Sequence, residues 1–180
     1  MFNWSMYSGN IKDILNIRAG GLAIHGGLIM GFIIVMILCS IWKIRPLNVL
    51  DLAVPCIAVA QSIGRWGNYF NSEAHGGPTD LPWAITVNGQ SVHPTFLYES
   101  IWCFLLFLFL IYIDNRRRFE GQTLLLYCGL YSAERFFVEG LRTDSLMIGP
   151  FRQAQVLSAT VIILCVIAYI ILYRRHSKNS

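Results

Sequence analysis

The chain has 180 residues, 55% of them hydrophobic and 13% charged, with a formal net charge of +4 and a mean hydropathy of +0.53. A soluble domain carries about 25% charged residues, so these totals exclude an ordinary soluble protein. Apolar residues gather in blocks near the roughly 20 residues that a bilayer core demands, which specifies an all-α, polytopic membrane protein.

In chain order, residues 1–18 are mixed, with Trp4 and Tyr7 among polar residues, and read as neither a span nor a signal peptide. Apolar spans are predicted over 20–42, 46–63, 96–113, 121–138 and 155–173, the second one weakened by Asp51, Pro55 and Gln61. Between the second and third lies a polar, aromatic segment, 64–95, predicted as a loop with short extended pieces around Trp83–Val87 and a turn at Asn88-Gly89. Basic residues fall at alternate span ends: Lys43 and Arg45, Arg116 to Arg118, then Arg174, Arg175 and Lys178. The positive-inside bias makes those ends cytoplasmic. It places the lead-in 1–19, segment 64–95 and loop 139–152 outside, and the tail 174–180 inside, within a single integral-membrane domain of about five helices. Such clusters report topology rather than a nucleic-acid partner. The five cysteines stand singly in apolar segments without C-x-x-C spacing, so they read as small hydrophobes rather than as a metal site or disulfide framework.

The polar residues on the outer side need an explanation, because ionisable groups near membrane depth are costly and mark function by default. His25 sits between the pairs Gly20-Gly21 and Gly26-Gly27, which let other backbone or a ligand approach the imidazole. Arg65 and Arg135 lie at outer span ends, against the orientation bias, where a guanidinium fork matches a phosphate. Snorkelling or pairing with Glu73, Glu134 or Glu139 are the structural alternatives. Tyr131, Arg135 and Glu139 recur every fourth residue and stack on one helical face. Glu134 falls off that stripe, and Arg142 continues it only if the helix survives Gly140. Glu99, just inside a span, must have a partner or stay protonated. An outward-facing pocket of this kind suits a lipid-phosphate enzyme and equally an anion or lipid transporter.

Four motifs narrow the choice. Gly64-Arg65-x-Gly67-Asn68-x-x-Asn71-x-Glu73 followed by Gly76, the Gly20-Gly21-x-x-x-His25-Gly26-Gly27 element, His93-Pro94-x-x-x-Tyr98-Glu99, and Arg135-Phe136-x-x-Glu139-x-x-Arg142 together resemble the bacterial prolipoprotein diacylglyceryl transferases. They occur in the family's order and span roughly residues 14–172. The resemblance implies transfer of the diacylglyceryl group of phosphatidylglycerol to the lipobox cysteine of a preprolipoprotein, the first step of lipoprotein maturation. Glycerol 1-phosphate is released at the outer face of the bacterial cytoplasmic membrane, with no metal or other cofactor. By the same resemblance Arg65 and Arg135 are the essential arginines, His25 the candidate base and Tyr131 a site tyrosine. Asn68, Asn71, Glu73, Gly76, Glu139 and Arg142 join the two arginines in binding the lipid. Family members carry about seven spans, two of them before the histidine segment, so the chain is expected to lack those two.

Overall fold

The computed structural model describes residues 24–142, 147–148 and 151–179. The lead-in with Trp4 and Tyr7, and Gly20 and Gly21, lie outside the described residues. Among those described there are five helices: α1 (Ile24–Trp42), α2 (Pro46–Phe70), α3 (Thr95–Asp114), α4 (Gln122–Leu141) and α5 (Gln153–Asn179). Two small antiparallel hairpins accompany them, β1 (Ile85–Val87) with β2 (Gln90–Val92), and β3 (Met147–Ile148) with β4 (Phe151–Arg152). The chain divides into two units after Pro46.

In the first unit, α1 is an apolar helix that ends where Lys43 turns left-handed, at φ 55°. The Ile44 amide then bonds back to the Cys39 carbonyl at 2.9 Å, closing the last turn as left-handed C-caps do.

In the second unit, α2, α3 and α5 are each long and apolar enough to cross a membrane. Helix α4 is as long as α3, at 20 residues, but carries Glu134, Arg135 and Glu139. It packs against both α3 and α5. Val54 and Ala58 of α2 meet Leu106 and Leu110 of α3 in a small buried cluster, with Leu124, Leu126, Tyr127 and Leu130 of α4 packed against it. Outside that cluster large apolar side chains face outward, among them Leu105, Phe137, Ile163 and Ile171. In water such a surface would be an aggregation hazard; in lipid it is the ordinary exterior.

Lipid offers little hydrophobic drive to hold helices together, so polar contacts and close packing must contribute. Asp51 of α2 is fully buried and serves the start of α4. Its carboxylate accepts from the Gly121 amide at 2.7 Å, the Leu124 amide at 2.9 Å and Arg117 Nη1 at 3.3 Å. Two of the orphan amides of that helix end are thereby satisfied from a neighbouring helix.

The expected outer loop begins later than the sequence suggests. Gly64 to Phe70 continue α2 instead of leaving it. Glycine and asparagine have low helix propensity, but a chain in apolar surroundings must satisfy its own backbone. Trp66 and Tyr69 also pack edge-on and tilted against Phe96 of α3, with ring centroids 5.5 and 4.9 Å away. The extended pieces are shorter than expected, and Trp83 stays outside β1. The turn at Asn88-Gly89 is as predicted, with φ of 51° and 79°, the pair of positive values that a two-residue hairpin turn requires.

Candidate functional site

Three helices bring their charges together at one level of the second unit. Glu99 of α3 is nearly sealed from solvent, at 2% exposure. Its Oε2 lies 2.9 Å from Arg65 Nη1 of α2, and its Oε1 accepts from Arg135 Nη1 of α4 at 2.6 Å. Arg135 Nη2 donates to Glu139 Oε2 at 3.0 Å. Arg65 Nη2 donates to the Tyr131 hydroxyl at 3.1 Å, and the Tyr131 ring stacks on Tyr127 at 5.8 Å. Arg152, at the end of the second hairpin, donates through Nη1 to the Glu139 backbone carbonyl.

Each guanidinium carries five donors in a planar fork. One carboxylate bridging two forks fixes both planes, and burial without such pairing would cost several kcal/mol per ion. The arginine side chains remain 19% and 20% exposed beside a nearly closed carboxylate. Chemically that is a cradle for an anion whose charge is delocalised over several oxygens, such as a phosphoester.

Helix α2 is held in register here. The Ser62 and Ser100 hydroxyls and the Trp66 indole join it to α3 close to Arg65 and Glu99. Above the charges, the segment after α2 is stitched to the end of α4. Gly76 pairs with Arg142 across an isolated bridge, and the Gly77 amide bonds to the Leu141 carbonyl at 3.0 Å. A Cβ on Gly76 would lie 2.6 Å from the His93 Cβ and 3.2 Å from the Leu141 carbonyl oxygen. Close approach, not backbone rotation, is what demands glycine there.

Of the predicted site residues, Arg65, Tyr131, Arg135 and Glu139 meet in one cluster. Gly76 and Arg142 form the stitch over it, with Arg142 just past the helix end and Gly140 still helical. Asn68 and Glu73 line a separate cavity of about 260 Å³ with Phe70, Ser72, Thr86 and Phe96, whose lining includes neither arginine. Asn71 Nδ2 donates to Glu73 Oε1 at 3.0 Å, so these two support one another rather than the arginines. His25 falls in α1, and its side chain lies outside the described residues. Two members are additions to the site the sequence suggested. Glu99 is the main carboxylate of the cluster, and its signal was a lone acid inside an apolar span. Glu134 is buried within electrostatic reach of Arg65, Glu99 and Arg135, where counting by fours had set it aside.

These features define a helical membrane protein with an arginine–carboxylate site shared by three helices. The sequence matches the model of the family described as prolipoprotein diacylglyceryl transferase over residues 1–171. Among curated relatives, the phosphatidylglycerol–prolipoprotein diacylglyceryl transferase of Clostridioides difficile (strain 630) is 51% identical, covering 99% of this chain and 72% of its own length. The proteins of the same name from Finegoldia magna and Clostridium novyi (strain NT) are 52% and 47% identical. Each covers 94% of this chain, and 69% and 70% of their own lengths respectively. The chain belongs to the prolipoprotein diacylglyceryl transferase family.

Proposed function

We propose that the chain transfers the diacylglyceryl group of phosphatidylglycerol to the lipobox cysteine thiol of preprolipoproteins, at the outer face of the bacterial cytoplasmic membrane. The observation that carries this reading is the pair Arg65 and Arg135, held by the two oxygens of Glu99 in a family whose relatives are named for a phospholipid donor. The reaction replaces a carbon–oxygen bond to phosphate by a carbon–sulfur bond, so negative charge grows on the departing phosphate. Preorganised donors aimed at that charge lower the barrier without reorganising during the step. In this reading Arg65 and Arg135 grip the phosphate, Tyr131 fixes the Arg65 fork, and Glu139 fixes that of Arg135. Gly76 and Arg142 hold the outer segment over the lipid headgroup, and Asn68, Asn71 and Glu73 shape the neighbouring cavity.

The test is release of glycerol phosphate by purified protein in detergent, given phosphatidylglycerol and a lipobox peptide, with the lipidated peptide detected by mass. Release that depends on both substrates is expected. Movement of labelled lipid or anion across liposomes without a covalent product would replace the reading with a transporter.

A further inference from the structure

A transferase of this kind must remove a proton from a thiol whose pKa is about 8.5, and the cluster holds several candidate acceptors. Most are occupied. Glu99 spends one oxygen on each arginine, Glu139 is tied to Arg135, and the Tyr131 hydroxyl accepts from Arg65. Glu134 differs from all of them. It is 5% exposed, yet neither Oε1 nor Oε2 has a hydrogen-bond partner among the described residues. A buried polar group without a partner is costly, and more so if charged, so its place within α4 calls for a use. The charged and titratable groups electrostatically coupled to it are Arg65 on α2, Glu99 and Cys103 on α3, and Tyr131 and Arg135 on its own helix. It therefore shares its surroundings with the two guanidiniums that the lipid phosphate would meet.

We propose that Glu134 is the proton carrier of the transfer, taking the thiol proton from the peptide cysteine and returning it to the leaving phosphate. The inference rests on the transferase reading above. The S–H proton moves to a free Glu134 oxygen, and the sulfur electron pair forms a C–S bond at the lipid's glycerol carbon that bears the phosphoester. The C–O bond at that carbon breaks, and its electron pair stays on the phosphate oxygen beside Arg65 and Arg135. That oxygen takes the proton back from Glu134. Glycerol phosphate leaves with the charge that the phosphodiester brought in, and the enzyme returns to its starting state.

The experiment compares Glu134→Gln with the unaltered protein on two lipobox peptides, one carrying cysteine and one carrying selenocysteine. The selenol is already ionised at neutral pH and needs no base. With cysteine, Glu134→Gln should lose roughly a hundredfold or more in turnover, the scale of general-base catalysis; with selenocysteine most of that loss should vanish. Glu134→Asp, which keeps a carboxyl one methylene back, should slow the cysteine peptide more than the selenocysteine peptide. It serves the same comparison if the glutamine variant does not fold. An equal deficit on both peptides, or near-normal turnover of the glutamine variant on cysteine, would overturn the proposal. Selective rescue of His25→Gln by selenocysteine, without rescue of Glu134→Gln, would likewise overturn it and move the role to His25. Absence of glycerol phosphate release from the unaltered protein fails the transferase reading itself, a separate result.

Discussion

Ser62 on α2 and Ser100 on α3 each donate a hydroxyl hydrogen bond to the other's backbone carbonyl, at 2.8 and 2.9 Å. The exchange joins two buried helix segments without using any side chain of the charged cluster, and Trp66 Nε1 adds a donor to the Ser100 hydroxyl at 3.2 Å. Ser100→Ala removes one donor and leaves both the Ser62 carbonyl and the indole short of a partner. It should cost about 1–2 kcal/mol, against about 1 kcal/mol or less for Ser62→Ala, a typical size for polar contacts between membrane helices. Thermal unfolding of the two variants in detergent gives the order. An unchanged Tm for Ser100→Ala would show that the pair does not hold α2 against α3.

Asp51 makes a second join, from α2 to the start of α4. Asp51→Asn keeps the shape but replaces one acceptor oxygen with a donor that faces the Gly121 or Leu124 amide. Loss of a capping acceptor together with a buried charge should cost on the order of 2–3 kcal/mol. Arg117→Ala should cost less, because that arginine is 35% exposed. Equal Tm losses for the two variants would assign the stabilisation to the ion pair instead of the helix start.

The stitch at Gly76 predicts a steric phenotype. Gly76→Ala drives a methyl group into the His93 Cβ, at 2.6 Å, and against Thr95 Cγ2, at 3.2 Å. Overpacking of this size costs about 1–3 kcal/mol. Both stability and turnover should fall, since the segment that moves crosses the end of α4 beside Glu139. Normal turnover at normal Tm would show that the segment yields without consequence.

What the sequence made legible follows from period and composition. Apolar blocks marked the helices, and Asn88-Gly89 marked the hairpin turn, because both signals are local. The end of α2 was not legible. Gly64, Gly67 and Asn68 carry breaker chemistry, whereas the environment that keeps them helical comes from Phe96 and Ser100, which lie far along the chain. Arg65 and Arg135 stood out because the charge pattern predicts them on the outer side, but their shared partner Glu99 was seen only as an acid in need of one. Pairing across three helices is a tertiary fact with no spacing to reveal it. Glu134 was set aside by the rule of fours, although a residue three positions after Tyr131 lies almost as close to the same face.

Orientation gives a prediction independent of the site. Three basic clusters at alternate span ends predict Ser72 outside and Asn179 inside. Single cysteines at these positions, in a background freed of the five native cysteines, should differ on intact cells. An impermeant thiol reagent should label position 72 and spare 179. The reverse pattern would put the arginine cluster on the wrong side for a secreted peptide substrate.

Arg65 and Arg135 separate gripping from mere positive charge. Each uses two nitrogens of its planar fork on protein partners, Arg65 on Glu99 and Tyr131, Arg135 on Glu99 and Glu139. Lysine supplies a compact point charge with no fork. If the forks hold a phosphate while being held themselves, Arg65→Lys should recover little of the turnover that Arg65→Ala loses, and Arg135→Lys should behave alike. Losing one charge-assisted contact to the leaving phosphate should raise the barrier by on the order of 3 kcal/mol, about a hundredfold in rate. A guanidinium that only reaches the headgroup layer is replaced by lysine at small cost, because the ammonium snorkels equally well. Turnover measured at matched protein level decides between these. Near-normal rates for both lysine variants would remove phosphate gripping from the mechanism and leave the cluster as a device for holding α2, α3 and α4 together.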